Sequence, residues 1–376
     1  MVKKRGKNGS VDICLVYSIM LLLSVGVIMV YSASSYVDMV KHGNSAYTFT
    51  RQLVFAVLGC TAMYVMSRYD YHNLKNKRLV FILMAVTVVL LFSVFLFPGA
   101  KGAKRWIQLG PLSFQPSELA KYVVVIYLAM ALTNNIKNIQ SFWKGIVPPF
   151  MVGGMFAAII LSQKNLSIAS VTLIVTFIML FVAGGRKKHL FGIVAPAMFT
   201  AAATFTLIEP YRKARLLNFI NPWKDAIGNG YQLIQSFYAL GAGGLTGLGL
   251  GQSRQKTLYM PEPHNDFIFA IIGEELGLVG CIAVIALFIF FIITGIRIAM
   301  RAKDNYGTLL AVGITSIIAI QAIINIAVVT GSMPVTGVPL PFISYGGSAL
   351  VVNLMAMGIL MNISRQIDKK NKKDAI

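Results

Sequence analysis

Ten apolar stretches constrain this chain more than any other feature, because each is about long enough to cross a bilayer. A membrane core needs about 20 apolar residues per helix. Of the 376 residues, 56% are hydrophobic and only 12% are charged, whereas soluble domains carry about 25% charged residues. The sequence therefore predicts an all-α polytopic membrane protein with ten transmembrane helices. The expected spans are roughly residues 12–33, 52–67, 78–97, 116–134, 146–162, 166–184, 189–207, 266–297, 307–330 and 345–363.

The distribution of Lys and Arg sets the expected orientation. With both termini in the cytoplasm, the cytoplasmic segments hold 21 of the 34 basic residues, and such an excess marks the cytoplasmic side. We expect one integral membrane domain over 1–376, with cytoplasmic tails at 1–11 and 364–376 and a large outer loop at about 207–265, between helices 7 and 8. The net charge of +21 is spread between apolar segments. It therefore indicates membrane orientation and contact with membrane lipid rather than nucleic-acid binding.

The 207–265 loop is the longest polar stretch, so chemistry is expected there first. It contains Arg212 in a basic cluster, a glycine-rich run at 241–251 and Lys256, and Asp266 follows where the next apolar run begins. The glycine run lacks the Lys-Ser/Thr pair of a nucleotide-binding loop. Two interpretations of Asp266 stay open. Aspartate favours the cap position of a helix, or the carboxylate acts as a base or holds a metal among the neighbouring cations.

A second set of charges lies near the fourth predicted helix. Arg105 either contacts lipid headgroups or binds a phosphate-bearing ligand. Glu118 and Lys121 are three residues apart and share a helix face. Because charges at membrane depth rarely face lipid, they form an ion pair, line a polar cavity, or do both. The last outer loop, 330–348, is uncharged and rich in Pro and Gly. It is expected to be buried or to line a cavity for a lipid-like ligand.

Several segments resemble the signature of the SEDS family (shape, elongation, division and sporulation), and they span nearly the whole chain in the family's order. They are PVTGVPLPFISYGGS at 334–348, KRW at 104–106, QPSE-x-x-K at 115–121, PYR at 210–212, NPW at 221–223, GYQLIQS at 230–236 and PEPHNDFIF at 261–269. PWKD at 222–225 and GLGQSRQK at 249–256 are more similar to the FtsW/SpoVE branch than to the RodA branch.

The resemblance implies a peptidoglycan glycosyltransferase that polymerises lipid II outside the cytoplasmic membrane, beside a class B penicillin-binding protein as the transpeptidase. The family's essential aspartate corresponds to Asp266, and its loop arginine corresponds to Arg105. The Glu and Lys of its fourth helix, assigned here to substrate binding, correspond to Glu118 and Lys121. Relatives commonly carry an aspartate in a Gln-Pro-Asp-Leu-Gly segment where this chain has Asn165, so one family carboxylate is an amide here.

The implied mechanism gives the outer residues distinct roles. Asp266 accepts the proton of the acceptor GlcNAc 4-hydroxyl as general base, which typically contributes about 10²–10⁴-fold. Arg105, Arg212 or Lys256 stabilises the leaving diphosphate, with or without a divalent cation such as Mg²⁺ or Mn²⁺. The process served, whether division, sporulation or elongation, is not indicated by these residues.

Two other functions stay open from the sequence. A lipid II flippase fits a helix bundle with the intramembrane charges Glu118, Lys121 and Glu275. Transporters, however, carry broken helices near the midplane in paired halves, whereas the polar residues here gather in outer loops. A scaffold with a decayed active site fits the replacement of a carboxylate by Asn165.

Overall fold

The computed structural model describes residues 9–99, 104–110, 112–208, 210–228 and 230–367. Long helices dominate it, as the hydrophobic pattern predicts. The helices are α1 (Ile13–His42), α2 (Tyr47–Arg68), α3 (Lys77–Leu96), α4 (Pro116–Asn134), α5 (Phe142–Ser162), α6 (Leu166–Val182), α7 (Lys187–Ile208), α8 (Pro210–Ile220), α9 (Tyr231–Gly243), α10 (Ile268–Met300), α11 (Asn305–Val329) and α12 (Gly347–Arg365).

Within the described ranges, nine helices are long and apolar enough to cross a membrane by length and composition. A further helix, α6, is apolar but has only 17 residues. The predicted all-α multi-pass architecture is confirmed, while the number of ten crossings stays a prediction. Every expected span coincides with a helix. The clearest difference in a boundary is at α1, which continues to His42 rather than ending near residue 33.

Three helices form the centre of the bundle. In their most apolar windows, 78% of the residues of α4, 61% of α11 and 83% of α12 are buried, against 6% for α7. Close packing of α12 on α2 uses Gly358, where an added Cβ would lie 2.4 Å from the carbonyl oxygen of Met63. A polar contact joins α4 to α12, since the Tyr122 hydroxyl donates to Asn353 Oδ1 at 2.8 Å. The central helices therefore carry buried polar groups that can position a site.

About half of the stretch 207–265, expected as a loop, is helical: α8, a short 3-10 turn at Pro222–Asp225 and α9 lie in it. The helical pattern at 231–240 predicted α9, whereas α8 was not predicted. The cations of α8 lie in its first half, and its second half carries apolar residues such as Leu217 and Ile220, which are exposed. After α9 the chain turns through glycines with positive φ, including Gly247 at 81°, a conformation that glycine adopts without steric cost. This stretch is therefore folded, with two helices and a tight glycine turn, rather than an extended loop.

A short hairpin precedes α4. Strand β1 (Ile107–Leu109) pairs antiparallel with strand β2 (Leu112–Phe114), with Ile107 opposite Phe114. The sequence indicated only a helix-breaking loop here, so this hairpin is an addition to the all-α prediction. Pro116 occupies the first turn of α4 and Glu118 follows it there, as the sequence predicted. A proline costs little at that position because its missing N–H would be unpaired anyway.

Helix α10 is interrupted near its outer end. Gly277 has φ 67° and ψ −165°, which is not helical, inside the continuous span Ile268–Met300. The sequence predicted one unusually long helix at this place and gave no sign of the break. The interruption separates a short outer half-helix, which begins just after Asp266, from a longer inner part.

Candidate active site

Asp266 is half-buried. It lies where the segment before α10 meets residues 330–346, the segment between α11 and α12 that is called the last outer segment here. A Cβ built on Gly337 would lie 3.4 Å from Asp266 Oδ2, so the carboxylate faces the backbone of that glycine. From α11, the buried Asn325 donates through Nδ2 to the carbonyl oxygens of Asp266 and Val338, both at 2.7 Å. One amide therefore fixes the backbone that carries the carboxylate and the segment that the carboxylate faces.

The interpretation of Asp266 as a helix cap is wrong. The cap position of α10 is Phe267, with φ −107°, and a phenyl ring offers no hydrogen-bond acceptor for the first turn. The aspartate precedes the cap, and its carboxylate faces Gly337. A chemical role of Asp266 stays a prediction.

Arg105 lies immediately before β1 and points towards the turn between α5 and α6. Its Nη2 donates a hydrogen bond to the carbonyl oxygen of Lys164, a residue with φ 60°. The neighbouring Lys104 donates through Nζ to the Phe95 carbonyl oxygen at 3.0 Å. The hairpin thus places the guanidinium of Arg105, which is half-buried, beside the turn that carries Asn165.

Asn165 joins the start of α6 to α4. Its Oδ1 accepts from the backbone N–H of Ile168 at 3.3 Å, capping α6, while its Nδ2 donates to Ser117 Oγ at 3.4 Å. Ser167, two residues on, donates to the Thr336 carbonyl oxygen at 2.6 Å. An aspartate at 165 could accept hydrogen bonds but could not donate to Ser117. The amide therefore has a defined structural use, and the turn connects α4 to the last outer segment.

Glu118 and Lys121 form the ion pair that their spacing predicts, with Lys121 Nζ 2.5 Å from Glu118 Oε2. Both residues are 1% exposed. Lys121 also donates to Gln321 Oε1 on α11 at 2.9 Å. Gln321 is one helical turn from Asn325, so both side chains lie on the same face of α11. This face links the buried pair on α4 with the backbone of Asp266.

The other two expected cations, Arg212 and Lys256, differ in what the structure describes of them. The side chain of Arg212 lies outside the described residues, although its helix α8 is described, and Arg215 of that helix donates to the Val335 carbonyl oxygen at 3.0 Å. Helix α8 therefore docks on the last outer segment, two residues from Gly337. Lys256 is 5% exposed, and its Nζ binds Glu275 Oε1 at 2.8 Å. Its expected contact with a diphosphate stays a prediction.

His264 was not assigned a role from the sequence, and the structure places it close to the site. Its carbonyl oxygen accepts from the N–H of Tyr345 at 2.9 Å, and the two rings meet edge to face at 5.6 Å. Its Nδ1 is buried without a hydrogen-bond partner in the described part of the chain. Burial lowers the pKa of His264, because a charged imidazole would lose hydration. Burial therefore favours the neutral form of this imidazole, two residues before Asp266 in the chain.

A divalent cation finds no protein-only cage here. Among the described residues, no three His, Cys, Asp or Glu side chains are grouped closely enough to hold a metal ion. The amide of Asn165 is engaged with Ser117 and the end of α6. The described residues therefore offer no cluster of three such ligands for a resident metal ion.

The last outer segment forms the wall opposite Asp266, as its composition predicted. Val338, Leu340, Phe342 and Ile343 are each at most 2% exposed. An irregular backbone of this kind is tolerated at membrane depth when protein buries it. Gln321 and Asn325 organise the site but were missed from the sequence. The only available signal was two amides four residues apart in an otherwise apolar helix.

The whole chain is similar to known proteins. A family model described as cell cycle protein, FtsW/RodA/SpoVE, matches residues 12–369. Stage V sporulation protein E of Bacillus subtilis is 46% identical over 367 residues, covering 96% of this chain and 98% of that protein. The probable peptidoglycan glycosyltransferase FtsW of Geobacter metallireducens is 40% identical over 362 residues, covering 95% of each chain.

Solved structures show the same fold. A chain from a peptidoglycan synthase complex, described as coordinating polymerization and crosslinking, superposes with a TM-score of 0.79 at 28% identity, covering 96% of this chain and 99% of that one. The rod shape determining protein RodA of Thermus thermophilus gives a TM-score of 0.68 at 24% identity, covering 96% and 98%. At that identity the second likeness concerns the fold alone.

Proposed function

The chain belongs to the FtsW/RodA/SpoVE family, and we propose that it is a peptidoglycan glycosyltransferase that polymerises lipid II at the outer face of the cytoplasmic membrane. The observation that carries the proposal is the half-buried carboxylate of Asp266, which faces Gly337 while the backbone carbonyl of the same residue accepts from Asn325. The name of the relative at 40% identity, a probable peptidoglycan glycosyltransferase, supports the same activity. The process it serves is sporulation or division, following the names of the relatives at 40–46% identity.

The reaction needs a base beside the acceptor sugar. Asp266 takes the proton from the acceptor GlcNAc 4-hydroxyl as its oxygen attacks the anomeric carbon of the donor sugar. The bond from that carbon to the undecaprenyl diphosphate breaks at the same time. A carboxylate that is fixed by its own backbone meets the positional demand of general-base catalysis, because little reorganisation is then needed at the moment of transfer.

The leaving diphosphate needs positive charge on the opposite side of the reacting carbon. Arg105, above the turn of Asn165, supplies a guanidinium suited to bidentate contact with phosphate oxygens. Arg212, on the helix that docks beside Gly337 through Arg215, is the second cation in this proposal. Glu118 and Lys121 line the inner wall, and their linkage through Gln321 holds α4 and α11 at a fixed spacing.

The orientation and the partner are part of the proposal. Both termini lie in the cytoplasm, which places the layer of α8 and α9 and the Asp266 segment outside. A class B penicillin-binding protein acts beside the chain as the transpeptidase. Support comes from the peptidoglycan synthase complex in which a chain of the same fold is found, together with the excess of Lys and Arg on the cytoplasmic side.

A polymerisation assay tests the activity. The purified chain, with its co-purified transpeptidase, is supplied with labelled lipid II, and the products are separated by length. Wild type is expected to form glycan polymer, and Asp266→Asn is expected to form at least 100-fold less, on the order of a general base's contribution. Glu262→Gln removes another carboxylate from the same outer segment as a matched control. Polymer from Asp266→Asn at the wild-type rate would contradict the proposal.

A lipid II flippase is the second candidate, because α10 is interrupted at Gly277. Transporters place such breaks in two corresponding helices, and among the described helices α10 is the one with a non-helical residue inside its span. Vesicles loaded with labelled lipid II distinguish the two functions. Polymer without translocation supports the transferase, whereas translocation without polymer supports the flippase.

A further inference from the structure

Two adjacent carboxylates lie buried at the inner end of the outer half-helix of α10. Glu275 is 0% exposed and accepts hydrogen bonds from Ser32 Oγ, at 2.8 and 2.6 Å to its two oxygens, and from Lys256 Nζ at 2.8 Å. The backbone N–H of Ser253 adds a longer contact at 3.3 Å. These partners come from α1 and from the outer segment, so Glu275 joins both to α10.

Glu274 is 1% exposed and binds the same outer segment beside its neighbour. It accepts from the hydroxyl of Ser253, from the N–H of Arg254 at 2.9 Å and from the N–H of Gln255 at 3.3 Å. Backbone N–H groups donated to a carboxylate are charge-assisted and stronger than neutral hydrogen bonds. Residues 253–256 are thus held by both glutamates together.

The break at Gly277 gives this region a second set of bonds. In a continuous helix the carbonyls of Glu274 and Glu275 would accept from the N–H groups of Leu278 and Val279. Here those carbonyls accept from the N–H groups of Leu248 and Gly249, both at 3.0 Å. The N–H groups of Leu278 and Val279 donate instead to the carbonyls of Gly244 and Leu245, at 2.9 and 3.2 Å.

The glycine-rich run therefore replaces part of the helix's own hydrogen-bond ladder. Every backbone group that the break at Gly277 exposes in these two pairs finds a partner in the run, which satisfies the accounting that burial demands. Close approach is essential, because a Cβ on Gly247 would lie 2.2 Å from the Glu275 carbonyl oxygen. The segment 244–256 and the outer half-helix are thus joined into one hydrogen-bonded unit.

Asp266 lies in the segment that connects the two parts of this unit, Lys256 and the start of α10 at Ile268. The chain leaves the unit at Lys256, passes through the Asp266 segment and re-enters it at Ile268. The segment 257–267 thus starts beside Lys256 and ends at the outer half-helix, and Asn325 binds the carbonyl oxygen of Asp266 near its end. Lys256 and the two glutamates hold the start of the segment that carries the proposed base, and Asn325 holds its end.

We infer that Lys256, Glu274 and Glu275 are positioning residues for Asp266, and that the Lys256–Glu275 pair holds the base rather than binding the diphosphate. The inference rests on the proposed function. It assigns to Lys256 a role different from the one its charge alone suggested. Displacing a catalytic group by about 1 Å can cost about 100-fold in rate, so loosening this pair lowers turnover and leaves lipid II affinity unchanged.

The test is a double-mutant cycle on lipid II polymerisation with the full chain and its co-purified transpeptidase. Lys256→Met and Glu275→Gln are made singly and together, with Lys213→Met as the matched control on an exposed lysine of the same outer region. Each single variant is expected to lower kcat by about 10- to 100-fold while KM stays within about twofold. The double variant, which leaves no unpaired buried charge, is expected to recover to within about fivefold of wild type.

Folded amount and unfolding temperature are also measured for each variant, so that turnover is expressed per folded molecule. A rise in KM for Lys256→Met with kcat unchanged would place the lysine on the diphosphate and overturn the inference. Loss that merely follows the folded fraction, or strictly additive single effects, would overturn it too. Absence of polymer from wild type would instead refute the proposed function itself.

Discussion

Two buried lysine–glutamate pairs flank Asp266, and they differ in what they connect. Lys121 and Glu118 lie three residues apart on one face of α4, with the amide of Gln321 as their third partner. Lys256 and Glu275 join an outer segment to a membrane helix, and a second carboxylate lies beside them. The first pair lies within α4 and contacts α11, whereas the second holds the segment before Asp266 against α10. Equal burial and equal chemistry therefore serve different purposes.

The largest expected effect separates the two pairs by stability. Glu118→Ala leaves Lys121 buried with one neutral partner, and removing one member of a buried pair costs about 3–5 kcal/mol. Glu275→Ala is expected to cost less, because Glu274 still accepts from the N–H groups of Arg254 and Gln255 and from the hydroxyl of Ser253. Thermal unfolding of both variants in the same detergent measures the order. The reverse order would show that the neighbouring carboxylate gives no support.

Removing each pair completely sharpens the comparison through activity. Glu118→Gln/Lys121→Met is expected to regain most of the lost stability, because no buried charge is left unpaired. Its polymerisation rate is expected to stay about 10²-fold low, since the pair lines the substrate site. The corresponding double variant of Lys256 and Glu275 recovers activity. If the α4 double variant also polymerised normally, the two pairs would both be structural.

The helix break predicts an intermediate effect. Gly277→Ala places a Cβ 2.4 Å from the N atom of Gly247 and forces alanine to φ 67°, a conformation costing about 1–3 kcal/mol. Both stability and kcat are expected to fall. Gly154→Ala is the matched control, because its added Cβ meets nothing within 4 Å inside α5, where alanine is favoured by up to about 1 kcal/mol. Equal unfolding temperatures for the two variants would show that the packing of the glycine-rich run on the break at Gly277 does not stabilise the fold.

The smallest expected effect is a pH dependence at His264. Burial lowers its pKa from 6.5, against the opposing charges of Asp38 and Glu262. Below pH 6.5 His264 is protonated in the unfolded chain, whereas in the folded chain it binds the proton only at a lower pH. The free energy of unfolding therefore falls as the pH drops below 6.5. Unfolding temperatures at pH 7.5 and 5.5 measure this fall, and His264→Gln is expected to reduce it. An unchanged fall would assign it to other groups.

The sequence predicted what depends on local spacing. Hydropathy located the long helices of the described residues, and the three-residue interval between Glu118 and Lys121 predicted their pair, because neighbours on a helix face are fixed by geometry. The start of α4 followed from Pro116 in the same way. The resemblance of PEPHNDFIF to the family drew attention to Asp266, which then proved to lie outside the cap of its helix.

The remainder depends on long-range contacts that spacing does not encode. Glu275 and Lys256 meet because α10 breaks at Gly277, and a lone glycine in an apolar run predicts no such break. Asn325 binds the Asp266 backbone only once α11 is packed beside the outer layer. Lys256 illustrates the limit most clearly, because a cation in an outer loop was expected to face substrate and is found buried against Glu275.

The central claim is that Asp266 acts on the reacting hydroxyl rather than on binding. The most direct measurement compares wild type with Asp266→Asn at saturating lipid II, per folded molecule, and measures lipid II affinity in parallel. We expect turnover to fall by about 10²–10⁴-fold with affinity changed by less than about threefold, since the amide keeps the size of the carboxylate. Turnover within a few-fold of wild type, or a loss explained by weaker binding alone, would contradict the claim.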